Sequence, residues 1–279
     1  MQKIRGINEW VDFLSQVEIP VLRQTSRELA SLQANEDALS ARNVAHVIKV
    51  DPLMSIKLLR YLQGHKHRVQ EHEVVEIEQA LIMLGLNTFY SKVPAQPMVD
   101  TLLAGHKEAL VCLLHVVQRS RRASEYAMDW AVYLRDLHFE EIRMVTLLHD
   151  IAELLLWCFA PTEMWKIHLM QQQDKTLRSH TAQQQILGFE IIELQIALTK
   201  KWHLPELLLT LLQGEDADAA QPRVRNVALA VNLARHLSHG WNDAALPDDY
   251  QEISALLHVQ PEQVLNMLGV GTKKIALSI

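Results

Sequence analysis

The sequence predicts an all-α fold, and three observations carry that prediction. Apolar residues recur at helical spacing in one segment after another, as in Leu53, Ile56, Leu59 and Leu62. Long stretches are rich in Leu, Ala, Glu, Gln and Arg, all good helix formers, while β-branched runs are rare. Breakers are few, with 9 Gly and 9 Pro in 279 residues, and they fall between the periodic segments. A hydrophobic fraction of 49% supplies the core of one large domain or two ordinary ones and excludes a disordered chain.

The first predicted helix is Ile7 to Gln16. Pro20 suits the first turn of a second helix running to about Asn35, with Leu22, Leu29 and Leu32 on one stripe. Ser40 is an N-cap for a short helix reaching Val50, whose apolar face is Val44, Val47 and Ile48. Asp51-Pro52 opens the next helix, with aspartate as N-cap and proline at the first helical position; Gly64 closes it. His65-Lys66-His67-Arg68 reads as a solvated basic loop. Glu76 to Leu84 ends at Gly85, and Asn87 caps a short helix that stops before Pro94. Pro94 and Pro97 make the strongest break in the chain. The expected organisation is therefore an N-terminal lobe at 1–96, a second lobe at 97–240 and closing helices at 241–279.

Beyond the break the helices lengthen. His106 to Leu134 reads as one helix that buries Leu110, Leu114, Val117, Ala123, Ala127 and Ala131, and Phe139 to Phe159 reads as another unbroken helix. Pro161 to Gln173, Leu177 to Leu187, Glu190 to Trp202 and Pro205 to Leu212 follow, then an acidic loop from Gly214 to Pro222. Arg223 to Gly240, Asp248 to His258 and Pro261 to Leu268 complete the set.

The net charge of -6 argues against a nucleic-acid partner, because phosphate binding draws on a basic surface. Cys112 and Cys158 form no CxxC pattern, and Met1 to Gly6 lacks the apolar core of a secretion signal; both point to a reduced, cytoplasmic setting. No apolar run is long enough for a membrane span, since the greasiest, Ile151 to Ala160, contains Glu153 and stops at Pro161.

Chemically the chain centres on His149 and Asp150. They lie within the apolar stretch Thr146 to Trp157, where such a pair is costly to bury without partners. No Ser or Cys stands in a nucleophile motif, and no Gly-rich phosphate loop exists. Arg119, Arg121 and Arg122 point in different directions on the long helix, which fits a partly exposed face better than a patch for a nucleotide or partner. Trp202, at a helix end beside Leu204-Pro205, fits packing better than a contact surface.

Four stretches, in order, resemble the HDOD family, the HD-related output domain of bacterial signalling proteins. They are Ile19-Pro20-Val21-Leu22 through Val50-Asp51-Pro52-Leu53 and Leu58-Leu59-Arg60; Ile77-Glu78-Gln79-Ala80-Leu81 through Leu84-Gly85; Leu147-Leu148-His149-Asp150-Ile151-Ala152; and Gly188-Phe189-Glu190 with Lys201-Trp202-His203-Leu204-Pro205. The resemblance extends over about residues 14 to 240. It implies an all-helical HD-like domain with an N-terminal helical lobe packed on it, a degenerate relative of metal-dependent HD phosphohydrolases.

Those phosphohydrolases hold a water-activating cation through a lone His, the His-Asp pair and a late Asp. By the resemblance, the lone His falls at Arg119, with His115 one turn earlier, and the late Asp falls at Arg235. Additional histidines of active relatives fall at Ile191 and at Gln213-Gly214. Arginine offers no lone pair to a cation and repels it. The implied state is a vestigial His149-Asp150 pair with Arg119 or Arg235 neutralising Asp150, no catalytic residue, no metal and no cofactor. The implied function is a non-catalytic output module that binds other signalling proteins, in a two-component response regulator or a second-messenger pathway. Two other readings stand beside it: an HD-type metal-dependent phosphohydrolase acting on a nucleotide or cyclic dinucleotide, and a nucleotide sensor that binds without turnover.

Overall fold

The computed structural model describes residues 4, 6–65, 76–204, 208–210, 212 and 221–268. Among these residues there are sixteen helices and no strand, so the all-α class is as predicted. The first part of the chain forms α1 (Gly6–Gln16), α2 (Arg23–Gln33), α3 (Ala41–Ile48), α4 (Pro52–Gly64), α5 (Ile77–Leu84), α6 (Leu86–Lys92) and α7 (Val99–Leu102). The longest helix, α8 (Lys107–Tyr133), is followed by α9 (Phe139–Leu147), α10 (Ile151–Phe159), α11 (Pro161–Gln173), α12 (Ser179–Leu187) and α13 (Ile191–Lys201). The last three are α14 (Pro222–His239), α15 (Leu246–Leu257) and α16 (Pro261–Met267). The basic loop residues Lys66 to Arg68, most of the Pro205 to Leu212 segment, Gln213-Gly214 and the acidic stretch up to Ala220 lie outside the described residues.

Local signals set many of these boundaries. Ser40 Oγ accepts from the Asn43 N–H at 3.2 Å and starts α3. Gly188, at φ 83°, ends α12 in the left-handed conformation that a side chain resists. Asp51 starts α4 through Oδ1, which accepts from the N–H groups of Leu53 (2.9 Å) and Met54 (3.2 Å). Its Oδ2 accepts from the Leu22 N–H at 3.0 Å and so ties the approach to α2 onto α4. Residues 52 to 59 of α4 are all buried, which makes it the core helix of this part of the molecule.

The predicted start of α2 at Pro20 is corrected. Ile19 to Leu22 is extended, because Val21 forms a parallel bridge with Met98: its N–H donates to Pro97 O, and its carbonyl accepts from the Val99 N–H, both at 2.9 Å. Backbone committed to that bridge is not free for a helical turn. Lys57, buried beneath it, donates to the carbonyls of Ile19 (3.2 Å) and Gln96 (2.5 Å) and pairs with Glu18 at 2.6 Å. Burial lowers its pKa, and Glu18 opposes that shift.

On α8 the buried face is Ala109, Leu113, Val116, Val117, Ser120, Ala123, Ser124, Ala127, Trp130 and Ala131. Leu114, expected inside, is 45% exposed, and Leu110 is half-buried. The reason is that α8 packs on α9, α10 and α14 through the stripe that contains Leu113, which turns its neighbour outward. The α1 helix packs on α13. Phe13 meets Phe159 edge-on at 5.5 Å, and the Trp202 indole N–H donates to Ser15 Oγ at 3.0 Å. Arg60 caps the end of α1 by donating to the carbonyls of Leu14 (3.0 Å) and Val17 (3.1 Å), and its guanidinium lies 5.5 Å from the Trp202 ring centre. No single helix among the described residues is long and apolar enough to cross a membrane.

Candidate functional site

The stretch from Phe139 to Phe159 is not one helix. It is interrupted at residues 148 to 150, which places His149 and Asp150 in a turn between α9 and α10. In the turn the His149 N–H reaches Thr146 O (3.3 Å) and the Ile151 N–H reaches Leu148 O (3.2 Å), both three residues back; four-residue bonding resumes with Leu154 N–H to Asp150 O at 3.1 Å. An interrupted helix leaves backbone groups without partners. Gln195, 2% exposed on α13, supplies them: its Oε1 accepts from the Ala152 N–H at 2.7 Å, and its Nε2 donates to Leu148 O at 3.1 Å.

Gln195 thereby frees the carboxylate of Asp150. Asp150 occupies the N-cap position of α10, yet its side chain makes no capping bond. It faces α8 instead. Arg119 donates to Asp150 Oδ2 from both Nε (3.1 Å) and Nη2 (2.7 Å), and its Nη2 also reaches Glu153 Oε2 at 2.7 Å. The other oxygen, Oδ1, lies 2.8 Å from His149 Nδ1. An ionised carboxylate carries no proton, so the His149 Nδ1–H is the donor. All four side chains are mostly shielded, with exposures of 17% for Arg119, 12% for Asp150, 25% for Glu153 and 15% for His149.

Burial pushes the Asp150 carboxyl up, but the Arg119 charge, the His149 hydrogen bond and charge, and Arg235 outweigh it and hold it well below the usual carboxylate range. Burial lowers the Arg119 pKa, and the charges and hydrogen bonds of Glu153 and Asp150 reverse that into a net rise. The cluster is thus an Asp–Arg–Glu bridge in which Asp150 is held ionised, with an imidazole attached. Arg235 lies exposed on α14; its charge is felt at Asp150, but it makes no hydrogen bond to it.

Could these residues hold a divalent cation? The donor chemistry does not fit one. Asp150 Oδ2, the oxygen a cation would claim beside the imidazole, is taken by two donors of a guanidinium whose charge would repel the ion. Among the described residues, no group of three or more His, Cys, Asp and Glu side chains is arranged to hold a metal. His115 is exposed on α8, and its electrostatic neighbour is His168 of α11. Ile191, at the start of α13, donates its N–H to Gln183 at 2.9 Å. Arg121 is not a free surface cation: its Nε donates to the carbonyl of Val50, joining α8 to the α3–α4 corner.

Two members of the site escaped the sequence reading. Glu153 entered it only as an interruption of an apolar run, although its spacing of three from Asp150 sets both carboxylates on one side of a helical turn. Gln195 carried one signal, a polar side chain beside Leu194 and within a turn of Leu198, both buried.

The HDOD domain family matches this chain over residues 19–216. The chain belongs to the HDOD family. Two solved structures share the fold of this HDOD domain. One is the MmoQ response regulator of Methylococcus capsulatus str. Bath, 18% identical over 91% of this chain and 99% of that one, with a TM-score of 0.66. The other is a virulence factor of Campylobacter jejuni subsp. jejuni, 18% identical over 95% of this chain and 92% of that one, with a TM-score of 0.65. No curated protein sequence matches the chain.

Proposed function

We propose that this HDOD domain is a non-catalytic output module of bacterial signal transduction that acts by binding another signalling protein. The observation that carries the reading is Arg119 seated on Asp150 Oδ2, where an HD phosphohydrolase would hold its cation. A guanidinium neutralises the carboxylate without offering a site for activated water, so the His149-Asp150 pair serves as a structural remnant at the contact of α8, α10 and α13. Family membership and a structural neighbour named a response regulator support the signalling context, a two-component or second-messenger pathway in the cytoplasm.

Metal analysis and turnover assays test the non-catalytic reading directly. The purified chain, loaded with Mn²⁺, Fe²⁺, Mg²⁺ or Zn²⁺ and offered nucleotides and cyclic dinucleotides, is expected to retain no stoichiometric metal and to hydrolyse nothing. Stoichiometric metal and turnover, both lost in His149→Ala, would establish the phosphohydrolase instead.

A further inference from the structure

A cavity lies away from the His149 cluster. It has a volume of about 450 Å³ and sits between the end of α8, the start of α9, the first turn of α14 and the end of α15. Ligand pockets commonly fall at roughly 300–1,000 Å³. Its wall residue Ala131 is twelve positions along α8 from Arg119, about 18 Å at the helical rise.

Three features of its wall are unexplained by folding alone. The first turn of α14 holds Arg223 and Arg225 and no acidic residue, although the positive end of a helix dipole disfavours cations. Arg223 is neutralised by a bidentate pair with Asp136, at 2.6 and 2.7 Å. Arg225 meets no carboxylate among the described residues; its hydrogen bond is a 3.5 Å contact to the Glu252 carbonyl. Asn226 is the second feature. It is 2% exposed and lines the cavity, and while its Nδ2 donates to Ala127 O at 3.1 Å, its Oδ1 has no partner among the described residues. A buried acceptor left open costs about 1–3 kcal/mol. The third is the α14 N-terminus itself, whose first backbone N–H groups favour an anion.

An anion on Arg225 and the helix end, carried by a molecule that also donates a hydrogen bond to Asn226, satisfies all three. We propose that this cavity binds a small phosphate-bearing ligand of mononucleotide size, with the phosphate on Arg225 and the α14 N-terminus and a base or sugar donor on Asn226 Oδ1. Guanidinium groups suit phosphate oxygens geometrically as well as in charge. The site is independent of the proposed reading of the His149 cluster.

Isothermal titration of the full chain with AMP, GMP, CMP, UMP and inorganic phosphate, each alone, tests the proposal. At least one mononucleotide is expected to saturate at millimolar concentration or below, more tightly than phosphate. Arg225→Gln removes the charge, and Ala255→Phe fills the mouth of the cavity from an exposed position. Each should weaken binding by about tenfold or more with an unchanged unfolding midpoint, the loss expected when one charge-assisted hydrogen bond goes. His149→Ala should leave binding intact. Absence of saturation by every mononucleotide overturns the proposal, as does equal affinity for phosphate and nucleotide. Loss of binding in His149→Ala with retention in Arg225→Gln also overturns it, by moving the ligand to the other cluster.

Discussion

Asp51, buried, and Asp150, largely shielded, both stand at the N-cap position of a core helix, and the fold treats them in opposite ways. Asp51 is satisfied mainly by backbone: three N–H groups, from Leu22, Leu53 and Met54, reach its two oxygens, and the Thr25 side chain adds one hydrogen bond. Asp150 is satisfied by side chains, with Arg119 on one oxygen and His149 on the other, while Gln195 attends to the helix start that Asp150 neglects. Their ionisation follows. Burial pushes the Asp51 carboxyl up despite its hydrogen bonds and the nearby charge of Arg121, whereas adjacent cations pull Asp150 far down. Backbone dipoles suffice to start a helix. A full opposing charge is what keeps the second carboxylate ionised in a largely shielded site.

The comparison breaks most visibly at Asp51. Asp51→Ala removes a cap and strands three buried donors, and should cost about 3 kcal/mol in urea denaturation. Asp51→Asn keeps the cap oxygen and should cost about 1 kcal/mol. A loss in the alanine variant no larger than in the asparagine variant would remove the structural distinction drawn here.

Arg119→Ala comes next. It leaves Asp150 and Glu153 facing each other with partial access to water, and about 2 kcal/mol is expected after allowing for that access. The sharper readout is a cycle: Asp150→Asn should cost less in the Arg119→Ala background than in the wild type, because the repulsion it relieves exists only there. Additive losses would mean that the two side chains are energetically independent.

Gln195→Ala should cost about 1–2 kcal/mol, since it strands the Ala152 N–H and the Leu148 carbonyl at the helix break. Amide exchange at Ala152 and Leu154 should accelerate with it. Unchanged exchange there would show that the turn holds without the glutamine.

The smallest signal is a slope against pH. Asp150 is held below its unfolded pKa of about 3.9, so its stabilisation is complete above that value and is lost as pH falls toward the folded one. Asp51 is held above, so its contribution is greatest at low pH and declines as pH rises from about 3.9 through the folded value. On acidification the stability difference between wild type and Asp150→Asn should therefore shrink, and that between wild type and Asp51→Asn should grow. Slopes of the same sign would show that the two carboxyls share one environment.

Much of the scaffold was legible because its signals act within a turn or two. Asp51-Pro52, Ser40 and Gly188 each mark a helix end through bonds to neighbours a few residues away, and each stands where predicted. The misplaced elements depend on distant groups. Pro20 suits a helix start, but the Val21 backbone is claimed by residues 97 to 99. Leu114 fits the apolar period as well as Leu113 does, and the orientation of α8 between α9, α10 and α14 chooses between them. The site divides in the same way. His149 and Asp150 stood out as a costly pair in an apolar setting and Arg119 through the family resemblance, whereas Glu153 and Gln195 gained their roles from geometry.

The sequence by itself determined the all-helical class, most helix ends and the identity of the central polar pair, because periodicity and capping are satisfied over three or four residues of the same chain. Tertiary structure alone decided that the pair sits in a break and that Arg119 closes on it. The break requires an amide arriving from 43 residues away, and the ionised aspartate requires a guanidinium from 31 residues away. A buried charge and an interrupted helix are each unfavourable alone, and only their packing against α8 and α13 makes them stable together.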